Sequence, residues 1–262
     1  MLRPTHHLSV STAHAGAVFI PLAELLQRMH ELPPPHEQIL LIRDSVDSYH
    51  ALGWLHARGR SAHLAPSPTH AEPSGQYRLW RPNAWLEERL LPPESSTALD
   101  LGCGSGREAV YLADLGWQVT AVDRLPEALA RGRDLQARYA PHSPPIHWLC
   151  IDLEKSDWQP EGVFDLILCF YFYSRELIQR ACGWLNPNGA LLVEAFTGQH
   201  RACYGKPASD WRIARANELP RLLPPDMRTV HYSEDWRANG RHTARLWAVR
   251  TVKVERRGYP NR

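Results

Sequence analysis

Asp100-Leu101-Gly102-Cys103-Gly104-Ser105-Gly106 stands at the end of a short apolar run, Thr97–Leu101, and directly before Arg107. A tight turn from a strand into a helix favours residues without a Cβ, which let the backbone approach a ligand, and the three glycines supply them. In an open α/β sheet such a turn lies at the carboxyl end of a strand, where ligands bind. The spacing, Gly-x-Gly-x-Gly with Arg107 next, differs from the Gly-x-Gly-x-x-Gly of dinucleotide-binding loops. The stretch therefore predicts a ligand site of another class.

Two acidic residues follow at the ends of the next two predicted strands. Asp123 ends Gln118–Asp123, about twenty residues past the loop, where a carboxylate can accept hydrogen bonds from both hydroxyls of a ribose. Asp152 comes after Ile146–Ile151, where it can accept a hydrogen bond from an adenine amino group. Each acid has a simpler interpretation, Asp123 as a helix cap ahead of Pro126 and Asp152 as an ordinary loop acid. The loop and the two acids, in this order, indicate binding of an adenosyl group.

Strands and helices alternate through the second part of the chain, which favours a parallel sheet covered by helices on both faces. Two later strands are joined through Asn239-Gly240, a pair typical of hairpin turns. Asp165 is interpreted as a strand-edge or cap residue. The predicted strands are Thr97–Leu101, Gln118–Asp123, Ile146–Ile151, Phe164–Phe170, Ala190–Phe196, Thr229–Trp236 and Thr243–Val252. The predicted helices are Asn83–Leu91, Arg107–Leu115, Pro126–Tyr139 and Arg175–Leu185. The expected fold is α/β with a seven-stranded sheet that is mostly parallel and has an antiparallel last strand.

The amino-terminal part forms a smaller predicted α/β unit, followed by a linker rich in proline and serine that is predicted to lack regular structure. Apolar residues at helical spacing predict a helix over Leu22–Leu32, and the run Ile39–Ile42 predicts a buried strand. A helix over Asp47–Ala57 follows, with Gly59 at its left-handed cap. The predicted domains are 1–65, the linker 66–78, and 79–262.

The composition is that of an ordinary globular chain, with 262 residues of which 44% are hydrophobic and 22% charged. The net charge of +2 is too small to imply a nucleic-acid partner. The basic tail, Arg237–Arg262, is interpreted as a solvated edge or as a site for an anionic partner. No membrane helix and no signal peptide are predicted, so a cytoplasmic protein without a membrane partner is expected. The five cysteines form no Cys-x-x-Cys pair, and no metal site is predicted.

The glycine loop Asp100–Gly106, the acids Asp123 and Asp152, and the run Phe164–Leu168 together resemble the motif series of class I S-adenosylmethionine (SAM)-dependent methyltransferases. Within them the chain is similar to the tellurite-resistance and thiol methyltransferase-like group. That similarity rests on Tyr111-Leu112-Ala113, Leu185–Leu192 and Glu194–Thr197, and the whole resemblance covers Leu79 to Val249. It implies a Rossmann-like fold and SAM as the cofactor.

The resemblance also implies which residues hold SAM. Asp100, Gly102 and Gly104 line its methionine end, Asp123 holds the ribose, and Asp152 with Leu153 flanks the adenine. Gly106 and Phe170 complete the predicted cofactor-binding set. One departure is Asn188, where the family usually has glycine in the turn after the helix. Asparagine tolerates a positive φ, so the turn is expected to form.

The first unit resembles a shortened rhodanese-like domain through Gly16–Leu22, the strand Ile39–Ile42 and the helix that leads to Ala57-Arg58-Gly59. In that family a cysteine thiolate opens the loop after this strand and carries sulfur. The corresponding loop here is Arg43–Ser48, and no cysteine precedes Cys103. A thiolate is the required nucleophile, so sulfur transfer is excluded and a structural or binding role is expected.

Methyl transfer from a sulfonium is an in-line displacement that needs alignment and exclusion of water more than acid–base catalysis. No catalytic residue is therefore predicted. The acceptor is expected near Trp80, Phe170, Tyr171, Tyr173, Arg175, Glu194, Phe196 and the loop Thr197–Arg215. Arg175 is interpreted as an anchor for an anionic acceptor or as a solvated residue, and the aromatic residues as cation–π or core groups. His200 and His242 are not assigned as bases.

The leading hypothesis is an enzyme that methylates a small molecule, with a soft thiol or an oxyanion favoured. Phe170-Tyr171-Phe172-Tyr173 stands where amino-group methyltransferases of bases or glutamine carry an Asn/Asp-Pro-Pro-Tyr/Phe tetrapeptide, which counts against that acceptor class. One alternative is an RNA or protein methyltransferase that docks through the basic tail. Another is a non-catalytic SAM-binding protein that recruits a partner. A nicotinamide dehydrogenase ranks last because of the glycine spacing.

Overall fold

The computed structural model describes residues 2–69, 76–89 and 96–251. The chain divides into two compact units. The first comprises 1–95, 103–119 and 125–150, and the second comprises 96–102, 120–124 and 151–262. Predictions that fall on 70–75 of the linker, on Leu91, on Val252 and on the end of the basic tail lie outside the described residues.

Thirteen strands and seven α-helices lie in the described ranges. The strands are β1 (Arg3–Pro4), β2 (His7–Ser9), β3 (Val18–Phe19), β4 (Ile39–Ile42), β5 (Ala62–Ala65), β6 (Tyr77–Arg78), β7 (Thr97–Leu101), β8 (Gln118–Asp123), β9 (His147–Cys150), β10 (Phe164–Phe170), β11 (Leu185–Phe196), β12 (Met227–Trp236) and β13 (His242–Arg250). The helices are α1 (Val46–His56), α2 (Ala84–Glu87), α3 (Arg107–Asp114), α4 (Pro126–Tyr139), α5 (Arg175–Cys182), α6 (Gly198–Tyr204) and α7 (Glu218–Arg221). Within these residues no helix is both long and apolar enough to cross a membrane.

The first unit contains a four-stranded sheet in the order β3-β2-β4-β5, and all of its pairings are parallel. The strand predicted at Ile39–Ile42 is confirmed as β4, and the helix predicted after it is confirmed as α1, shifted by one residue. Gly59 has φ +68, as its predicted role in the cap requires. Inside the predicted linker, Tyr77 and Arg78 form β6, which pairs with β1. The rhodanese-like resemblance and the predicted domain boundaries stay predictions.

The helix predicted over Leu22–Leu32 is wrong. Two 3-10 turns, Leu22–Glu24 and Met29–Glu31, occupy this segment. The carbonyls of His30 and Leu32 accept hydrogen bonds from the Arg107 side chain, at 2.6 Å and 3.4 Å. A guanidinium from a distant residue thus satisfies carbonyls near the end of the segment. Tertiary packing overrides the local helical spacing.

Glu31 is a buried carboxylate of the first unit. Its carboxylate is fully buried and accepts hydrogen bonds from Arg28 at 2.7 Å, Tyr139 at 2.6 Å and Arg138 at 3.1 Å. Burial by itself raises the pKa of Glu31, but the hydrogen bonds from Arg28 and Tyr139 outweigh it and bring that pKa below its ordinary value. Since Arg138 and Tyr139 end α4, the carboxylate ties the 3-10 segment to this helix.

The second sheet has seven strands in the order β12-β13-β11-β10-β7-β8-β9. β10 runs parallel to β7 and to β11, whereas β13 is antiparallel to β11. The predicted seven-stranded, mostly parallel sheet with an antiparallel last strand is confirmed. The predicted hairpin is also present, with the Arg237 N–H donating to the Arg241 carbonyl at 2.7 Å and Gly240 at φ +74.

Strand β11 begins at Leu185, five residues before the predicted start at Ala190, and the preceding helix ends at Cys182 instead of Leu185. Its pairing with β10 jumps from Phe164–Leu185 to Leu166–Ala190, so residues 186–189 bulge out opposite Asp165. The Asp165 carboxylate accepts from the Thr97 N–H at 2.9 Å and from Asn186 Nδ2 at 2.7 Å, which confirms its interpretation as a strand-edge residue. Asn188 has φ +66, as expected for the turn.

We expect replacement of Glu31 by alanine to destabilise the protein by about 3–5 kcal/mol, because it leaves buried cations without their carboxylate. Urea unfolding followed by circular dichroism measures the loss. The matched control is Glu24→Ala, which removes a carboxylate paired with the same Arg28 but 45% exposed at its side chain. That substitution is expected to cost less than about 1 kcal/mol. Equal losses for the two variants contradict the view that the buried Glu31 carboxylate stabilises the first unit through its cations.

Candidate functional site

The glycine at the end of β7 makes a close contact with the segment after β10. Gly102 has φ +73, and its N–H donates to the Val122 carbonyl at 2.9 Å. A Cβ added at Gly102 lies 2.6 Å from the Phe172 Cβ. Only glycine fits both the left-handed backbone and this approach. Gly102 therefore brings the ends of β7 and β8 and the segment after β10 together.

The predicted acids lie at neighbouring strand ends. The Ile151 N–H donates to the Asp123 carbonyl at 2.9 Å, so the chain leaving β9 passes beside the end of β8. Asp152 is the next residue, and its side chain is 29% exposed. Asp123 is half-buried, while Leu153 and Phe170 are buried. Asp100 is buried at 3% exposure on β7.

Part of the Asp152 carboxylate supports its own loop. Its Oδ1 accepts from the Glu154 N–H at 3.1 Å, and the Asp152 carbonyl accepts from the Ser156 N–H at 3.0 Å. Its Oδ2 faces the Arg124 guanidinium at 4.0 Å. Oδ1 therefore acts as the acceptor of an ordinary loop acid. Within the described residues, Oδ2 makes no hydrogen bond to the loop and faces Arg124.

The two remaining predicted glycines lie in the first unit. Gly106 precedes α3 at φ +72, and an added Cβ lies 2.4 Å from the Trp148 ring. It permits packing of that indole, which also contacts Gly132. Gly104 has φ +54, and a Cβ there meets no described atom within 4 Å. Gly104 is therefore the loop position with room beside its backbone.

Several residues predicted near the acceptor form an aromatic cluster in the second unit. Tyr171 has φ +59, a region that bulky residues rarely adopt, and its N–H donates to the Glu194 carbonyl at 2.7 Å. Its ring lies 5.3 Å from the Phe196 ring, which stacks on His200 at 4.5 Å. The Arg241 guanidinium lies 4.6 Å from the Tyr171 ring centroid and 5.9 Å from that of Phe196. A cation over two aromatic faces results.

Glu194 is fully buried at the end of β11. Its Oε1 accepts from the Thr243 hydroxyl at 2.7 Å, and its Oε2 lies 3.1 Å from Arg245 Nε. Arg237 donates to the same threonine hydroxyl at 2.8 Å. Glu194 thus joins β11 to β13 as one carboxylate among arginines, and these contacts give it a structural role.

Arg175 has a partner that its sequence context does not indicate, the carboxylate of Glu218. Its Nε donates to Glu218 Oε1 at 2.6 Å and its Nη2 to Glu218 Oε2 at 2.9 Å, with further bonds to the carbonyls of Trp211 and Ile213 at 3.1 Å. Burial opposes ionisation of Glu218, but the Arg175 guanidinium holds its pKa below the usual range. Because these contacts use the guanidinium fork, Arg175 anchors the loop 211–218.

Other predicted acceptor residues are held inside the protein. Tyr173 is buried, and its hydroxyl donates to Glu218 at 2.8 Å. Trp80 is fully buried in the first unit, with its ring edge-on to Tyr139 at 5.8 Å. His200 Nδ1 accepts from the His242 N–H at 3.3 Å, and burial together with the charge of Arg241 lowers the His200 pKa. These contacts indicate packing and positioning roles.

A cavity of about 980 Å³ opens at the end of β11. It is lined by Thr197, His242 and the loop 210–216, with Glu218 and Arg175 at its side. Its size fits a small molecule. Within the described ranges no group of three or more His, Cys, Asp or Glu side chains is placed to hold a metal ion.

Sequence reasoning missed the roles of Phe172 and Glu218, and it considered Arg241 only as part of the basic tail. Phe172 and Glu218 matter through partners 70 and 43 residues away, Gly102 and Arg175. Arg241 carried a signal, since it follows the hairpin pair Asn239-Gly240. The register that places it beside Tyr171 and Phe196 was not visible in the sequence.

The sequence profile of a family described as Methyltransferase domain matches residues 98–189. The chain is 28% identical over 150 residues to a ubiquinone biosynthesis O-methyltransferase of Xanthomonas axonopodis pv. citri, covering 55% of this chain and 58% of that protein. It is 34% identical over 110 residues to the protein of the same name from Albidiferax ferrireducens, covering 40% and 42%. The chain thus spans about half the length of these curated relatives.

Among solved structures, the chain is similar to a SAM-dependent methyltransferase from Methanosarcina mazei. The TM-score is 0.50 at 16% identity, and the match covers 64% of this chain and 98% of that one. At this identity the likeness establishes the Rossmann-like fold of the seven-stranded sheet and nothing about the acceptor.

We expect Gly102→Ala mainly to lower stability and Gly104→Ala mainly to weaken SAM binding. Gly102→Ala creates a clash with Phe172 on a left-handed backbone. We expect it to reduce the free energy of unfolding by about 2 kcal/mol or more, which lowers the melting temperature by several degrees. Gly104→Ala adds only backbone strain of about 1 kcal/mol but fills the open side of the loop, so it weakens SAM binding more than it lowers stability. Differential scanning fluorimetry and calorimetric SAM titration separate the two effects. Identical behaviour of both variants contradicts this division.

Proposed function

We propose that the protein, whose residues 98–189 match the profile of a methyltransferase domain, transfers the SAM methyl group to a small-molecule acceptor. The observation that supports the proposal is the meeting of Gly102, Asp123 and Asp152 at adjacent strand ends. In a parallel sheet this edge is where nucleotide ligands bind. The proposed cofactor-binding residues are Asp100, Gly102, Gly104, Gly106, Asp123, Asp152, Leu153 and Phe170.

The acids, Leu153 and the glycines of this set have separate proposed tasks. The Asp123 carboxylate accepts hydrogen bonds from the two ribose hydroxyls. Asp152 accepts from the adenine amino group through the oxygen that does not bind its own loop, and Leu153 covers the adenine. The glycine backbone allows close approach of the methionine portion. SAM supplies a sulfonium-bound methyl group that is open to in-line attack.

The acceptor is proposed to bind beside the Tyr171–Phe196 rings and Arg241. In the part of the chain that the structure describes, Arg241 makes no ion pair, in contrast to Arg175. A guanidinium over aromatic faces suits an anionic acceptor, either an oxyanion or a thiolate. This acceptor class agrees with the resemblance to the tellurite-resistance and thiol methyltransferase-like group. That resemblance stays a prediction.

The basic tail gives less support to an RNA acceptor. Arg250 pairs with Asp226 at 3.2 Å and donates to the Leu185 carbonyl at 2.6 Å, and Arg245 pairs with Glu194. These arginines pair with acids and donate to a carbonyl elsewhere in the second unit, so their charge is less available to a phosphate backbone. For the first unit we propose a structural or binding role, since the rhodanese-like resemblance brings no cysteine to its loop.

We expect Asp123→Ala to weaken SAM binding about 10- to 100-fold, because one or two hydrogen bonds to a charged acceptor are lost. Isothermal titration calorimetry measures the change. The control is Asp134→Ala, which removes an exposed carboxylate from α4 and is expected to leave SAM affinity unchanged. Equal affinity of the Asp123 variant and the wild type removes the basis for the ribose assignment.

A methyl-transfer assay with labelled SAM over thiols, tellurite, selenite, phenolates and small RNAs identifies the acceptor class. With the best anionic acceptor, we expect Arg241→Gln to raise KM about tenfold, equivalent to about 1.4 kcal/mol, with SAM affinity unchanged. Arg228→Gln, at an exposed position on β12, is the control for loss of one positive charge. Transfer to RNA alone favours the RNA alternative, and tight SAM binding without any transfer favours the non-catalytic one.

A further inference from the structure

The carboxyl edge of the parallel sheet in the first unit carries a serine, a histidine and an aspartate in contact. His14 lies in the connection from β2 to β3, Asp44 comes two residues after β4, and Ser67 comes two residues after β5. Since β2, β4 and β5 are parallel neighbours, their carboxyl ends lie side by side. This is the edge of an α/β sheet where ligands bind. None of the three residues takes part in the proposed methyl transfer.

The three side chains form a chain of hydrogen bonds. Ser67 Oγ lies 3.1 Å from His14 Nδ1, and His14 Nε2 lies 2.8 Å from Asp44 Oδ2. Donation of the Nε2–H to the carboxylate leaves the Nδ1 lone pair directed at the serine hydroxyl. A nucleophile, a base and a group that orients the base are thus within hydrogen-bond reach of one another.

The aspartate is fixed and ionised. Its Oδ1 accepts from the hydroxyls of Ser11 at 2.5 Å and Ser48 at 3.0 Å, and its Oδ2 accepts from that of Thr12 at 3.0 Å. Burial opposes ionisation, but the hydrogen bonds of Ser11 and then His14 hold the pKa of Asp44 well below its usual range. A carboxylate that stays charged stabilises an imidazolium beside it.

We propose that Ser67, His14 and Asp44 form a second, esterase-type site that accepts small carboxylic esters. Ser67 Oγ adds to the ester carbonyl carbon while its proton passes to His14 Nδ1. The bond from that carbon to the leaving oxygen then breaks, and the leaving alcohol takes the proton from His14. Water, activated in turn by His14, hydrolyses the acyl-serine to the carboxylic acid and restores the Ser67 hydroxyl.

The surroundings suit this chemistry. Ser67 is exposed, and the His14 side chain is 25% exposed, so a small ester reaches both without a movement of the chain. Helix α1 begins at Val46, two residues after Asp44, and the side chain of its Ser45 N-cap accepts no hydrogen bond from the backbone of the first turn. Backbone N–H groups of a first helical turn, which have no partner inside the helix, are donors of the kind that stabilise an oxyanion.

The test uses the full-length protein with p-nitrophenyl acetate as substrate and a fluorophosphonate probe as covalent label. We expect p-nitrophenolate release above the spontaneous rate and a single adduct on Ser67, located by mass spectrometry of peptides. Ser67→Ala is expected to abolish the adduct, and His14→Ala to lower the rate about 100-fold, as for loss of a general base. The matched control is Ser61→Ala, an exposed serine at the opposite end of β5, which is expected to leave both signals unchanged.

Absence of an adduct on Ser67 in the wild-type protein overturns the proposal and leaves the cluster as a clip that ties three loops together. Hydrolysis that persists in Ser67→Ala overturns it equally. A melting curve for each variant accompanies the assay, and the labelling of wild-type Ser67 decides the question even where a variant unfolds. SAM titration of the same samples keeps this result separate from the methyltransferase proposal.

Discussion

The close approach of Phe172 to Gly102 is the constraint on which the candidate cofactor site depends. The chain leaves β7 with a left-handed residue, the N–H of that residue binds the Val122 carbonyl, and Phe172 packs where any Cβ would lie. A side chain at Gly102 would separate the ends of β7 and β10. The positions of Asp123 and Asp152 then follow from strand order, because each acid ends or follows the next strand along the same edge. One backbone geometry thus fixes where three strand ends meet.

Both units use the same property of parallel sheets. Parallel strands bring all their carboxyl ends to one edge, so short polar loops from distant parts of the sequence come into contact there. In the second unit this edge collects Gly102, Asp123 and Asp152. In the first unit it collects His14, Asp44 and Ser67, although the strands of that sheet are only two to four residues long. The chemistry of each edge depends on the loop residues and not on the fold.

The fold of the larger sheet was largely predictable because its signals are local. The glycine loop, the apolar runs and the intervening helical segments gave β7, β8 and β10 with their observed bounds. The early start of β11 was missed because Asn186–Gly189 has the composition of a turn, and it does bulge out, but pairing resumes on both sides. The helix predicted over Leu22–Leu32 was wrong because carbonyls of this segment accept hydrogen bonds from Arg107, a partner that no local pattern reveals.

The candidate site also has a part that the sequence predicts and a part that it does not. The cofactor residues follow a motif and were named from the sequence, whereas the acceptor side depends on register and on long-range pairs. The role of Arg175 shows the difference, because its meaning is set by Glu218, 43 residues later. No helical or strand periodicity links two such positions. The buried Glu31 likewise stands between a histidine and a leucine with no sign that Arg138 and Tyr139 will surround it.

The arginines around the carboxyl end of β11 differ in which groups their guanidinium contacts. Arg175 and Arg245 hold carboxylates that lock strands and loops in place. A guanidinium engaged in this way cannot leave its partner without leaving a buried or half-buried acid unpaired, so it is less suited to substrate binding. Arg241 instead lies over the Tyr171 and Phe196 rings. A guanidinium that stacks on aromatic faces can still donate hydrogen bonds through its N–H groups, which point outward from its edge. An anionic acceptor that binds there gains a charge partner without breaking one that the fold requires.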